Sequence, residues 1–550
     1  MKFKLIFSSF LTLGLLISFV LFILLMIGYF FDLYNIQILI LLTMIINFLS
    51  WLISPLMMDK VQRVSYDIKE PGFNLFKKRH EELGSFIESI CNKHNVDKPL
   101  IRIIRDNNPT AFCYGSYANN ARVVFSEGLF KYLNIEEQKA VLAHEMGHVI
   151  NRDFIIMTVA QTLVQILYEI FYFLIRSATN KDRSISDDDD KGAGVALILV
   201  IAVISYILWW IGTHLILYLS RTREYLADKF SFQETENPDA LSDALIKIAY
   251  GIAKEEEDEE VKHLLQATRS IGIFDFESAH GLGRSFEQIK DTEQEDIDNI
   301  LNMFLFDIFS PWAFYAEIKS SHPLVGKRIK KLSESAKAAG ISSKYDWEEV
   351  KRRGEQLDRK KLYKGFFSGM IINFLPYIGL LIGVIPVLLE GTQYLSQTFL
   401  VLGIAMLIKG LYSFSRKKEE PEKTDVYTLM QDPYLNPIKG KYVQLEGKVI
   451  GKGDSGSHLD ENLQMQDDSG SLVYLNYNSF IPVLGDIYFA LKTSKRLIGN
   501  SVTSVGWFRR GAYTVLDIDF IKGQFLMVKS YTRFWRLIIG AICLLVGLIL

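Results

Sequence analysis

The chain has 550 residues, 49% hydrophobic and 23% charged, with a net charge of −2 at pH 7. At about 150 residues per domain the length suggests three or four folded units. The near-balance of charge gives no global field for nucleic acid. Cys91, Cys113 and Cys543 lie far apart and outside any C-x-x-C motif, so they read as reduced thiols.

Lys2 and Lys4 precede an apolar run over 5–31. It exceeds the roughly 7–15-residue core of a secretory signal and lacks a small-residue cleavage site. It is expected to be a retained membrane helix, because about 20 apolar residues cross a bilayer. Five more spans are expected over 36–57, 154–175, 193–219, 365–389 and 394–414. The final run, 537–550, is short for a full crossing. Lys60, Arg63, Arg221, Arg223, Lys361, Lys364, Arg416, Lys417 and Lys418 flank the spans on one side, as Lys2 and Lys4 do. The opposite loops are short or acidic, and Lys181, Arg183 and Lys191 there sit among aspartates. The positive-inside rule then predicts a plasma-membrane protein with every soluble block in the cytoplasm.

The expected organisation is two membrane helices (1–58), an α+β block (59–153), a membrane hairpin (154–219), a helical block (220–360), two more spans (361–416), a β-rich module (417–530) and a terminal apolar segment (531–550). Periodicity places helices over "FNLFKKRHEELGSFIESICNKHNV" and "NIEEQKAVLAHEMGHVINRD", with short strands at "PLIRIIRD", "TAFCYGS" and "ARVVFSEG". The acidic run 255–260 reads as a solvated helix face. Between 439 and 523, "KYVQLEGKVI", "ENLQMQDDSGSLVYLNY", "GDIYFALK", "VTSVGWFRRG" and "YTVLDIDFIKG" read as five strands separated by Gly and Asp turns, which suggests a small barrel or sandwich, OB-like in one form. Tyr474, Tyr477, Trp507 and Phe508 could stack on bases, but they read more simply as strand packing. Arg509 and Arg510 are too few for a basic track, so no nucleic acid is expected.

The chemistry concentrates at His144-Glu145-Met146-Gly147-His148. On a helix, positions i and i+4 share a face, so both imidazoles can reach one ion. Glu145 points aside, suited to take a proton from water that a zinc ion has acidified to a pKa of about 7. The pattern would arise by chance about once in a hundred such sequences, and two surface histidines would then be its meaning. The topology argues otherwise. The motif runs into one span, and the next returns to the same face at "SRTREYLADKF". That brings Glu224 into place as third ligand of a single zinc, with Asp228 one turn on to orient a ligand histidine.

These segments resemble the HtpX-like membrane zinc metallopeptidases, the family that includes CAAX prenyl endopeptidases. "HEMGHVINRD", with Arg152 and Asp153, matches the family's H-E-x-x-H with its downstream Arg-Asp. "SRTREYLADKF" matches the element with the glutamate ligand, "NNPTAFCYG" the strand beside the cleft, and "SSHPLVGKRI" the Ser-x-His-Pro element. The resemblance covers about residues 1–335. It implies a mainly α multi-pass membrane protein with an α+β zincin-like catalytic domain; after residue 360 the chain departs from the family's minimal pattern with two extra spans and the small all-β module, for which the resemblance gives no role. The resemblance also implies an edge strand over 111–115 that pairs with extended substrate, with Asn108, Ala111 and Phe112 beside the cleft. His322 and Arg328, near Pro323, would stabilise the oxyanion or position substrate. Expected substrates are misfolded or membrane proteins, cleaved at the bilayer in quality control. The alternatives are a specific processing peptidase of the CAAX type and a scaffold with a non-catalytic zinc site.

Overall fold

A computed structural model describes residues 15–20, 22–23, 35–65, 68–107, 109–179, 189–255, 294–345, 347–416, 420–452, 460–511, 514–524 and 526–550. Asn108, most of the 5–31 run and the acidic stretch 256–260 lie outside them. Among the described residues five helices are long and apolar enough to cross a membrane: Asp153–Arg176, Leu197–Thr235, Arg359–Val387, Thr392–Ser413 and Thr532–Ile549. The last corrects the short terminal run. Arg533 and Arg536 break the apolar count but not the helix, which begins at Thr532 and reaches 18 residues. Long cationic side chains near a span's end can reach the interface while their stems stay in apolar surroundings.

Helix α1 (Asn35–Ser65) covers the 36–57 run and continues onto a four-stranded sheet. The sheet comprises β1 (Ile68–Lys69), β2 (Leu100–Ile104), β3 (Ala111–Gly115) and β4 (Ala121–Ser126) in the order β1-β2-β4-β3. Strand β3 pairs antiparallel with β4 and forms one edge. Its alternation divides two environments. Phe112 and Tyr114 pack with Ile104 and Val124, while Ala111 and Cys113 join the main core. Tyr114 Oη donates to Asp59 Oδ1 at 2.8 Å, and Arg102 Nη1 donates to Tyr114 Oη at 2.9 Å. These buried bonds tie the sheet to the end of α1.

Helix α2 (Glu81–His94) packs against α3 (Ile135–Ile150), which leads through a tight turn into α4 (Asp153–Thr179). Helix α5 (Asp189–Thr235) returns from the hairpin without a break. A Cβ at Gly212 of α5 would meet Val164 of α4 at 2.8 Å, so glycine permits this approach. Helices α6 (Pro238–Glu255), α7 (Gln294–Phe309) and α8 (Val325–Ala338) complete the helical block. Two further spans follow, α9 (Arg359–Glu390) and α10 (Leu395–Ser413).

The C-terminal module contains β5 (Lys441–Lys452), β6 (Leu463–Asp467), β7 (Leu472–Asn476), β8 (Ser501–Arg510) and β9 (Thr514–Gly523). Strand β5 pairs with β6 and β8, β6 with β7, β7 with β9, and β9 with β8, so the five strands close on themselves. This order, with β7 and β9 parallel, is OB-like. The module is not purely β, and two readings are corrected: "GDIYFALK", expected as a strand, is helical, part of a segment at 484–497 between β7 and β8, and "ENLQMQDDSGSLVYLNY" divides into β6 and β7. Trp507 and Phe508 are fully buried, with Trp507 against Phe414 and Tyr442 at centroid distances of 5.1 and 5.0 Å. Arg510 reaches out of the barrel to the helical block, donating to the Met303 carbonyl at 3.2 Å and lying 4.0 Å over the Phe306 ring. Helix α11 (Thr532–Ile549) then packs on α10.

Candidate metal centre

Helix α3 begins with a capping box. Asn134 Oδ1 accepts the Glu137 N–H at 3.0 Å, and Glu137 Oε2 accepts the Asn134 N–H at 2.9 Å. Its body is apolar and buried, so the two motif histidines are among the few polar groups it carries inward. Their rings meet nearly at right angles, with centroids 4.9 Å apart. A Cβ at Gly147 would lie 3.1 Å from the Ala227 Cα. The glycine between the histidines therefore lets α5 approach closely, which brings Glu224 to them.

His144 Nε2 and His148 Nε2 are 3.2 Å apart. Glu224 Oε2 lies 3.5 Å from the first, and Oε1 lies 3.5 Å from the second. One ligand atom from each residue falls within 4.8 Å of the others. Glu224 Oε2 is buried without a hydrogen-bond partner, with Arg328 Nη1 held 3.6 Å away, so the oxygen is free to meet an ion. Two imidazoles and a carboxylate are a donor set suited to zinc, and three protein ligands leave a position open. The residues present fit a metal.

Each histidine is backed by a carboxylate. His144 Nδ1 lies 3.0 Å from Asp228 Oδ1, and Arg328 clasps Asp228 through Nε at 3.0 Å and Nη2 at 2.6 Å. Burial disfavours the His144 imidazolium, but Asp228 and Glu224 outweigh it and raise the pKa above its usual value. His148 Nδ1 lies 2.6 Å from Asp153 Oδ2, and Arg223 bonds both Asp153 and the Asn151 carbonyl. Asp153 stood in the sequence as half of a motif, and Arg223 as a flanking charge. Their spacing from His148 and Glu224 was the available signal. Arg152 adopts a left-handed φ of 58°, and this turn carries Asp153 back toward the histidine.

Glu145 is nearly buried and faces β3. Cys113 Sγ donates to the Glu145 carbonyl at 3.4 Å, and burial together with the Glu145 carboxylate holds that thiol well above its usual pKa. The side chains of Ala111 and Phe112 are 0% exposed, so anything extended along β3 would meet backbone rather than these groups. His322, 8% exposed, brings Nε2 to 3.7 Å from Glu224 Oε1. Its segment is fixed by Arg221 Nη1, which donates to the Glu317 and Ser320 carbonyls, both at 2.6 Å. Arg328, expected from the resemblance to meet substrate, lies beneath the cluster, 1% exposed and forked onto Asp228. Asn108 falls outside the described residues.

Residues 77–336 match the model of peptidase family M48. The chain is 30% identical over 201 residues to a Protease HtpX homolog of Methanothermobacter thermautotrophicus, covering 36% of this chain and 69% of that protein. It is 33% identical over 219 residues to the Lactobacillus helveticus homolog, covering 38% and 70%. The chain belongs to peptidase family M48. This M48 chain is also 30% identical over 260 residues to the Pyrococcus abyssi homolog, covering 47% and 75%. Among solved structures it is similar to S. mikatae Ste24p, with a TM-score of 0.33 and 16% identity over 60% of this chain and 66% of that one. The M48 protein is a zinc metallopeptidase, a hydrolase of peptide bonds. Its apolar helices make it a membrane protein.

Proposed function

We propose that this M48 peptidase is an endopeptidase that cleaves membrane or membrane-proximal proteins at the cytoplasmic face, as in quality control of misfolded membrane proteins. One zinc ion is held by His144, His148 and Glu224, and Glu145 is the general base. The observation that carries this reading is the convergence of three ligand atoms within 4.8 Å, with the Glu145 carboxylate set beside β3. A bound zinc would supply Lewis acidity toward a carbonyl and acidify a water at its open position.

The chain's own residues do the rest. Asp228 and Asp153 each fix one histidine's ring and tautomer, so that its Nε2 lone pair faces the ion. Arg328 and Arg223 hold those carboxylates in turn and act as positioning residues. The edge of β3, unpaired among the described residues, offers its backbone to an extended peptide, the strand-addition mode of recognition. Glu145 takes the proton from the attacking water and returns it to the leaving amine. His322, at the rim, donates to the developing oxyanion. The catalytic unit combines 59–153 with 220–360 across the hairpin, and 417–530 forms a separate cytoplasmic module.

A chelator should abolish cleavage of an unfolded test protein by the purified full chain, and added zinc should restore it. Cleavage that survives complete zinc removal contradicts the reading. The cytoplasmic orientation rests on the Lys and Arg residues that flank the spans. Single cysteines at Ser65 and Ser455 should resist an impermeant label on intact cells, and one at Ser186 should react. Labelling at Ser455 would put the β-rich module outside.

A further inference from the structure

Between the last spans and the barrel lies a cavity of about 610 Å³, away from the metal centre. Volumes of roughly 300–1,000 Å³ are usual for small-molecule sites. One end is apolar, walled by Tyr377 and Leu380 of α9 and by Leu402 and Met406 of α10. The other end is cationic, with Lys409, Arg509 and Arg536 against the single carboxylate of Asp517.

Arg509 uses that carboxylate: its Nε donates to Asp517 Oδ2 at 2.6 Å. Lys409 Nζ has only neutral acceptors, the carbonyl and side-chain oxygens of Asn373, at 3.1 and 3.0 Å. Arg536, on α11, is exposed and is the charged neighbour acting on Lys409. Among the described residues neither cation has a carboxylate partner. Two positive charges without a carboxylate partner at the edge of a bilayer attract anionic headgroups.

The depth of the cationic end can be placed. Lys409 lies four residues before the end of α10, about 6 Å along the axis. Tyr531 and Trp535 mark the entry of α11, and Trp535 Nε1 donates to the Ser479 carbonyl of the barrel at 2.8 Å. Such aromatic rings favour the headgroup level. Beside them the barrel presents exposed Phe480, Ile481, Val483 and Leu484 to the same level. The cations therefore sit at headgroup depth, and the apolar walls run into the hydrocarbon.

We propose that this cavity binds an anionic phospholipid, its phosphate between Lys409 and Arg536 and one acyl chain along the α9–α10 walls. Basic pockets between membrane helices bind lipid headgroups by the same electrostatics. The test uses the delipidated full-length chain in neutral detergent. It is titrated with dioleoyl phosphatidylglycerol or dioleoyl phosphatidylcholine, and bound lipid is counted by native mass spectrometry. Wild type should hold one phosphatidylglycerol in preference to phosphatidylcholine. Lys409→Gln and Arg536→Gln should each weaken that binding about fivefold, with thermal midpoint and zinc content unchanged. Arg536 is exposed, so its variant keeps the test valid should Lys409→Gln fail to fold. Equal binding of the two lipids, or full preference in the double variant, would overturn the proposal. Displacement of the lipid by millimolar inorganic phosphate would assign the cationic end to a free anion instead.

Discussion

Glu145→Gln should lower peptide hydrolysis by about 10²–10⁴-fold, the usual contribution of a general base, while zinc content stays at one per chain. Gln keeps the size and the hydrogen-bonding capacity of Glu but cannot accept the proton of the attacking water. The side chain lies between the two histidines in sequence but off their shared face, directed to β3 and Cys113. Removing its charge leaves the distances among His144, His148 and Glu224 intact. Substrate should still bind, so the variant becomes a trap that captures an unfolded protein and releases it uncut. The measurement is metal analysis of the purified variant beside cleavage of an unfolded protein, with pull-down of the uncut substrate. Cleavage at the wild-type rate would remove the general-base role. A zinc-loaded wild type with no activity on any peptide would favour the scaffold alternative.

His144→Ala, His148→Ala and Glu224→Ala should each release the zinc and lose activity at least as far as Glu145→Gln does. Three protein ligands are the minimum for a site of this kind. Glu224→Ala separates the proposed ligand set from a site held by histidines alone. It removes a carboxylate that reaches both Nε2 atoms, each at 3.5 Å, and leaves Arg328 pointing a cation toward the vacated position. Metal analysis is read against the thermal midpoint and helical content of the same sample, so that unfolding is not mistaken for ligand loss. Full zinc and full activity in Glu224→Ala would assign the third ligand elsewhere.

The pairing of His144 with His148 was legible because a helix repeats every 3.6 residues, so i and i+4 share a face whatever surrounds them. Glu224 was reachable because two consecutive apolar runs must fold back, which returns the second to the membrane face where the first began. Most strands of the sheet and barrel followed from short alternating segments set off by Gly, Asn and Asp, but "GDIYFALK" reads in the same way and is helical. The apolar runs over 154–175, 193–219, 365–389, 394–414 and 537–550 were legible as spans from length and composition, but not the start of the last one. Counting apolar residues stops at Arg536, whereas the backbone hydrogen bonds of the helix begin at Thr532.

Long-range placement was not legible. Asp153 could have capped α4 or faced solvent. The left-handed turn at Arg152 and the partner Arg223 commit it to His148, and a local sequence window contains neither contact. Arg328 occupies the position where the family motif suggests a substrate contact. Its helix buries it under Asp228, whose carboxylate it pairs through two hydrogen bonds, and burying that carboxylate beside His144 is less costly with a cation paired to it. The closing of β5 on β8, the parallel pairing of β7 with β9, and the convergence of Lys409 and Arg536 each join segments far apart in the chain. Periodicity and composition report what a segment can become. Which distant partner satisfies its buried charges and strand edges is set by packing, which alone brings those groups within bonding distance.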